Sequence, residues 1–303
     1  MEESGRRLVT RGDMDGLTSA VIISANEGFE RIKLIHPQDI TNAKVEIQPH
    51  DILVNVPYHP GCALWFDHHQ HTATYGKPPA TYKGAYGPAP SAAHLVYEYY
   101  GGKAKMPQFE ELVRQTDRMD SADLTPNDVL TPGGYIELGF TIDSRTGIGA
   151  FEDYFLTLVD LLAKGSPIEH VLEHQAVKRR CQMMKENDAA YRRAIQENSR
   201  VDSNVVITDF RTLDPIPIGN RFLVYALFPN VNVSLRLHWG PKKSFVVTAI
   251  GHNIFKRGCK TDVGELAARF GGGGHHGAGS VPLPVECADE KITQIIEELK
   301  RNG

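Results

Sequence analysis

At 303 residues, with 41% hydrophobic and 23% charged residues, the chain has the make-up of a globular protein and exceeds the usual size of one domain, so two domains are expected. A formal charge of -4 excludes a protein that grips long duplex nucleic acid by its overall field, while leaving room for a local basic pocket. The opening MEESGRRLVT is too charged for a secretory signal, no apolar run approaches a membrane span, and Cys62, Cys181, Cys259 and Cys287 are scattered without C-x-x-C spacing, so the reading is a cytoplasmic protein with reduced thiols.

Short apolar runs at residues 7–10, 32–35, 52–56 and 63–66 alternate with a helical pattern at 17–29, which predicts a parallel sheet flanked by helices. Ligands of such sheets lie beyond the carboxyl ends of the strands, and the polar residues gather there. Helices are predicted at 91–100, 109–118 and 151–162, followed by one long charged amphipathic helix from Pro167 to about Arg200. Strands are then expected at 205–207, 222–226, 231–237 and 245–249, a helix at 262–270 opened by an Asp262/Glu265 capping box, and a closing amphipathic helix at 290–301. The expected architecture is α/β: an N-terminal parallel-sheet domain (1–165), a helical linker (166–202) and a smaller α/β C-terminal domain (203–303), with the active site in the cleft between the domains.

Asp13 and Asp15, in GDMDG, sit in a tight turn between a predicted strand and a predicted helix, where two carboxylates suit a hard cation. A helix N-cap accounts for the same dipeptide equally well. Asp67-His68-His69 follows the apolar run ALWF, and carboxylate with imidazole suits Mn²⁺ or a similar divalent ion, whereas structural zinc would call for thiolates. A capped turn with exposed histidines is the blander account. Asp117 and Asp120, in QTDRMDSADL, can supply a further ligand, although a solvated acidic helix end is the commoner meaning of such a pair.

The second motif is GGGGHHGAG, residues 271–279. Glycines such as Gly273 and Gly274 let main-chain amides converge on a phosphate, and His275 and His276 add ring donors; a flexible hairpin is the alternative. Arg257 is a candidate phosphate fork.

Together GDMDGLTSA, FDHHQ, TDRMD and GGGGHHGAG resemble, in order and spacing over nearly the whole chain, the DHH phosphoesterase superfamily, in the branch with the DHH-associated C-terminal domain that holds nanoRNase and exopolyphosphatase-related proteins. The resemblance implies Asp13, Asp15, His68 and Asp117 as metal ligands, Asp67 and His69 supporting or contacting the reacting phosphate, and Gly273, Gly274 and His275 binding a terminal phosphate with help from Arg257. It also exposes two departures. Arg11 stands where many members have His, and Asn55 aligns best with an Asp that bridges two metals. One ion position is therefore expected to be weakened or empty, with Arg11 partly substituting for its charge; His59, Cys62 or His71 swinging in as ligands is the alternative.

The expected function is hydrolysis of phosphate esters of a small nucleotide or short oligonucleotide, using one or two Mn²⁺, Mg²⁺ or other divalent ions, with His69, Asp67 and Arg11 at the reacting phosphate. The competing readings are a polyphosphatase and, given Arg11 and Asn55, a nucleotide-binding module without turnover. Base recognition would separate a nucleotide enzyme from a polyphosphatase, and Phe255, Tyr58 and Tyr86 are the aromatic candidates. No membrane partner is expected, and a homodimer is an open alternative that no motif supports.

Overall fold

The computed structural model describes residues 5–69, 78–142 and 151–302. Two compact units divide the chain: Met1–Asp123 with Pro132–Met183, and Leu124–Thr131 with Met184–Gly303.

In the first unit, β1 (Arg7–Thr10), β2 (Arg31–Leu34), β3 (Asp51–Val54), β4 (Leu64–Asp67) and β5 (Gly84–Tyr86) form a sheet in the order β2-β1-β3-β4-β5, every pair parallel. Between and after the strands come α1 (Met14–Asn26), the short α2 (Pro37–Thr41), α3 (Ala92–Tyr99), the short α4 (Gly102–Lys105) and α5 (Glu110–Asp120). α6 (Pro126–Leu130) groups with the second unit, where Asn220 Nδ2 donates to the Val129 carbonyl. α7 (Gly134–Phe140) and α8 (Phe151–Ala163) return to the first.

Every residue of α1 from Met14 to Ile23 is buried, which its composition explains: a helix without a polar face must be covered on all sides. It packs on α3, α5 and α8, and its Leu17 and Ile22 share one core with Leu8, Ile52 and Phe66 of the sheet and Leu158 of α8. At the amino ends of the strands Arg7 grips the fully buried Asp51 with two hydrogen bonds, Nε to Oδ1 at 2.9 Å and Nη2 to Oδ2 at 2.6 Å. Arg7 and Asp51 are also register partners, so the ion pair locks β1 beside β3.

The second unit holds β6 (Ser199–Asp202), β7 (Val205–Asp209), β8 (Val233–Trp239), β9 (Phe245–His252), β10 (Gly273–His275) and β11 (Ala278–Pro284), in the order β10-β11-β9-β8-β7-β6. Only β7 and β8 run parallel; the other pairs are antiparallel. Its helices are α11 (Leu223–Leu227), α12 (Val263–Arg269) and α13 (Ala288–Asn302), the last burying Ile292, Ile295, Ile296 and Leu299 as its 3.6-residue spacing predicts. Asp262 caps α12 through the Glu265 amide at 2.9 Å.

Two local differences from the expected elements have physical reasons. The long helix is two, α9 (Ile168–Glu173) and α10 (Gln175–Glu197), because His174 takes an extended ψ of 133° and its carbonyl accepts the amides of Val177 and Lys178 to begin a new helix. The expected strand at 222–226 is instead α11. Asn220 turns the chain there, its Oδ1 accepting the Phe222 amide and its carbonyl the Leu223 amide, and this local cap overrides the strand propensity of the aromatic and β-branched residues. The glycine-rich run forms a hairpin, β10–β11, with β10 at the sheet's edge. No helix among the described residues is long and apolar enough to cross a membrane.

Candidate active site

Three neighbouring strands deliver the candidate residues from their carboxyl ends. β1 leads into Arg11 and Asp13, β3 into Asn55, and β4 into Asp67, His68 and His69.

Asp13 is the N-cap of α1, its Oδ1 accepting the Gly16 amide at 2.9 Å. The cap needs glycine at position 16, because a Cβ there would stand 2.0 Å from the Arg11 carbonyl oxygen. Asp13 Oδ1 also accepts from Asn55 Nδ2 at 3.2 Å, and Arg11 Nε lies 3.0 Å from Oδ2. Asn55 is fully buried and holds a left-handed φ of 58°, which its short polar side chain tolerates better than most.

Asp15 is buried at 0% exposure, and its carboxylate sits on the amino end of α3: Oδ2 accepts the Ala92 amide at 2.9 Å and Oδ1 the Ala93 amide at 2.6 Å. The helix end favours an anion. Burial nevertheless pushes the Asp15 pKa well above the ordinary carboxylate value, the charges of Asp120 and Asp13 add to the rise, and the two amides offset only part of it. Asp120 is raised for the same first reason, with His68 opposing. A nearby cation would offset both rises.

His68 supplies the geometry for one. Its Nδ1 faces the Ala89 carbonyl at 3.1 Å; a carbonyl can only accept, so Nδ1 carries a proton and Nε2 is the ring nitrogen left for a ligand. Nε2 is buried without a hydrogen-bond partner, 3.3 Å from Asp120 Oδ2 and 3.7 Å from Asp15 Oδ2. Asp15, His68 and Asp120 place their ligand atoms within 4.8 Å of one another, and among the described residues this is the group able to hold a metal ion. Two carboxylates and an imidazole suit Mn²⁺ or a related divalent ion.

Asp120, not Asp117, is thus the acid that reaches His68. Asp117 stands one helical turn earlier and is tied to α3, its Oδ1 accepting from Ser91 Oγ at 2.6 Å and its Oδ2 from His94 Nδ1 at 2.9 Å. The sequence reading found neither Ser91 nor His94 as part of the site, although a serine directly before a helical pattern is a cap signal; Ser91 Oγ accepts the His94 amide. Asp13, expected as a ligand, is paired with Asn55 and with Arg11 and lies outside the three-residue group.

Asp67 organises the DHH turn. Its Oδ1 accepts the His68 amide at 3.0 Å, the His69 amide at 3.3 Å and His69 Nδ1 at 2.8 Å, while Oδ2 is buried without a partner. Tyr86 donates to the His69 carbonyl at 2.9 Å and stacks on Trp65, against whose edge Tyr58 also packs, so both tyrosines support β4. His59 accepts the Gly61 amide, and burial raises the Cys62 thiol to about 11, which makes a poor thiolate ligand. Neither belongs to the metal-ligand group, and His71 lies outside the described residues.

In the second unit, Gly273 and Gly274 pair with Ser280 and Gly279. Gly274 lets β10 press onto β11, since a Cβ would stand 2.3 Å from the Ala278 carbonyl oxygen. His275 closes the turn, Nδ1 accepting the Gly277 amide at 3.2 Å; His276 is exposed, with Nδ1 3.2 Å from Asp262 Oδ2 and its ring edge-on to His252. Arg257 is exposed, and the Phe255 amide donates to Asn253 Oδ1.

No family model and no curated protein matches the chain. Among solved structures, a pGpG-specific phosphodiesterase, PggH from Vibrio cholerae, is 35% identical, with a TM-score of 0.78 and 98% of this chain aligned to 100% of that one. The DHH domain of a member of a ribosomal-protein family is 14% identical at a TM-score of 0.57, covering 98% of this chain and 87% of that one. RecJ from Thermus thermophilus, in complex with Mn²⁺, is 13% identical at a TM-score of 0.58, covering 99% of this chain and 52% of that one. The last two likenesses speak for the fold.

Proposed function

The chain belongs to the DHH phosphoesterase family, and on that premise we propose that it hydrolyses the phosphodiester of a short 5′-phosphorylated dinucleotide of the pGpG kind. The observation that carries this reading is the Asp15–His68–Asp120 group, with its unpartnered His68 Nε2, in a chain matched end to end by a pGpG-specific phosphodiesterase. Asp15, His68 and Asp120 would hold a divalent ion, whose contribution would be to lower the pKa of a water and to polarise the phosphoryl oxygens.

The remaining chemistry falls to the chain itself. The α3 amides and the Ala89 carbonyl hold Asp15 and His68 in ligating orientation before any ion arrives. Asp67 fixes the His69 ring, accepting a hydrogen bond from its Nδ1, so that His69 Nε2 serves as proton donor or acceptor at the reacting phosphate. Arg11 contributes permanent positive charge on the same side of the sheet. In the second unit Gly273, Gly274, His275 and His276 in the edge hairpin, with Arg257, are our assignment for phosphate binding. A short substrate accords with the net charge of -4, which gives no long basic track for a polymer. We place the reaction in the cytoplasm.

The test is Mn²⁺-dependent product release from pGpG, longer oligonucleotides, a bisphosphorylated nucleotide and polyphosphate, with His68→Ala as control. Hydrolysis of the dinucleotide alone, lost at least a hundredfold in His68→Ala, is expected. Preferential release of phosphate from polyphosphate would replace the reading with a phosphoanhydride hydrolase, and tight binding of pGpG without turnover under any divalent ion would make the protein a binding module.

A further inference from the structure

We infer that this site takes one divalent ion per chain, completed by Asn55 Oδ1 as a neutral fourth ligand, and that the Arg11–Asp13 pair closes the neighbouring position to a second ion; this rests on the phosphoesterase reading above.

Asp13 is the carboxylate a second ion would need, and its oxygens already have donors. Oδ1 accepts the Gly16 amide at 2.9 Å and Asn55 Nδ2 at 3.2 Å, while Oδ2 faces Arg11 Nε at 3.0 Å and Asn55 Nδ2 at 3.5 Å. The first of these is the cap of α1 and cannot move without unwinding the first turn. Arg11 cannot shed its proton, so a cation entering beside Asp13 would meet a permanent positive charge. The Asp15–His68–Asp120 group has the opposite character. Its Nε2 is buried without a hydrogen-bond partner, and both carboxylates converge on that nitrogen, at 3.7 and 3.3 Å.

Asn55 is the residue we assign to link the two halves. By giving its amide hydrogens to Asp13 it must turn Oδ1 the other way, because the reverse orientation would set amide oxygen against carboxylate oxygen. Oδ1 is buried with no partner. An amide oxygen is an accepted ligand for a hard divalent ion, and a buried acceptor left bare calls for one. The same residue thus spends its donor on Asp13 and keeps its acceptor for the ion.

Metal-free protein is loaded with Mn²⁺, desalted, and measured for ion content by mass spectrometry and for spin coupling by electron paramagnetic resonance. One Mn²⁺ per chain with an uncoupled hyperfine sextet is expected. Changing both donors to ligands, Arg11→His with Asn55→Asp, is expected to give two ions and a spin-coupled signal, and Asn55→Ala to weaken the single site about tenfold. Two coupled ions in the unaltered protein overturn the inference and leave the phosphoesterase reading intact. No ion at saturating Mn²⁺ overturns that reading itself. Should the double variant fail to fold, the ion count of the unaltered protein still decides.

Discussion

Asp15 and Ala93, far apart in sequence, meet at 2.6 Å, amide to carboxylate, so one buried acid of the candidate centre is held by the first turn of α3. The acid is raised in pKa first by its burial and then by the charges of Asp120 and Asp13. In the metal-free protein the folded state therefore binds protons at Asp15 and Asp120 more tightly than the unfolded chain does. Stability from these groups is full below the unfolded value of about 4 and is lost as pH rises through the raised folded values. Thermal melts in a chelator should show a midpoint falling with pH above about 4. Mn²⁺ at 100 times its dissociation constant should add about 2.7 kcal/mol and flatten that slope. A chelated protein whose midpoint does not respond to pH or to Mn²⁺ would contradict this electrostatic account.

The division of labour along α5 is open to a paired substitution. Asp120→Asn removes an acid 3.3 Å from His68 Nε2 and should weaken Mn²⁺ binding by more than about 100-fold. Asp117→Asn keeps that acid and disturbs only the supports from Ser91 and His94, with an expected loss of about tenfold. Calorimetric titration of both variants with Mn²⁺ checks the order; equal losses would mean that Asp117 also reaches the ion.

Gly16→Ala should act through the backbone. Its Cβ would fall 2.0 Å from the Arg11 carbonyl, so the turn that positions Asp13 and Asp15 must open, at a cost of about 2 kcal/mol or more. Urea denaturation measures the stability, and Mn²⁺ titration of the surviving folded protein should show weaker binding.

At the opposite end of the strands, Arg7→Met leaves Asp51 buried without its partner and should cost about 3–5 kcal/mol. Arg7→Met with Asp51→Leu removes the stranded charge as well, so denaturant unfolding should find the double variant more stable than the single one. Mn²⁺ affinity should change little in either, because this pair lies away from the carboxyl ends that carry the site.

How much of this was legible beforehand depended on whether the signal was local. Periodicity and the strand-then-acid pattern found β1, β3 and β4 with Asp13, Asp15, Asp67, His68 and His69 on the ends of β1 and β4, since each acid lies close in sequence to the strand that presents it. Choosing between Asp117 and Asp120 was beyond any local pattern, because both share a face of α5 and the decision is made by Ser91 and His94 on α3. Asn55 shows the same limit: its identity predicts a missing negative charge, but not that its amide would turn toward Asp13. The strand that follows the glycine-rich turn was hidden for a different reason. Glycine and proline argue against strands, yet β11 pairs along its length with β9 and alternates buried Val281 and Leu283 with exposed Pro282 and Pro284, a tertiary arrangement that propensity cannot see.

The attachment of Asp15 to α3 also orders events during synthesis. Asp15 leaves the ribosome early, its anchoring amides at Ala92 and Ala93 much later, and Asp120 after a further helix, so no nascent fragment ending before α5 can assemble the centre. An ion held by all three ligands can therefore form no part of the chain's structure until α5 has emerged.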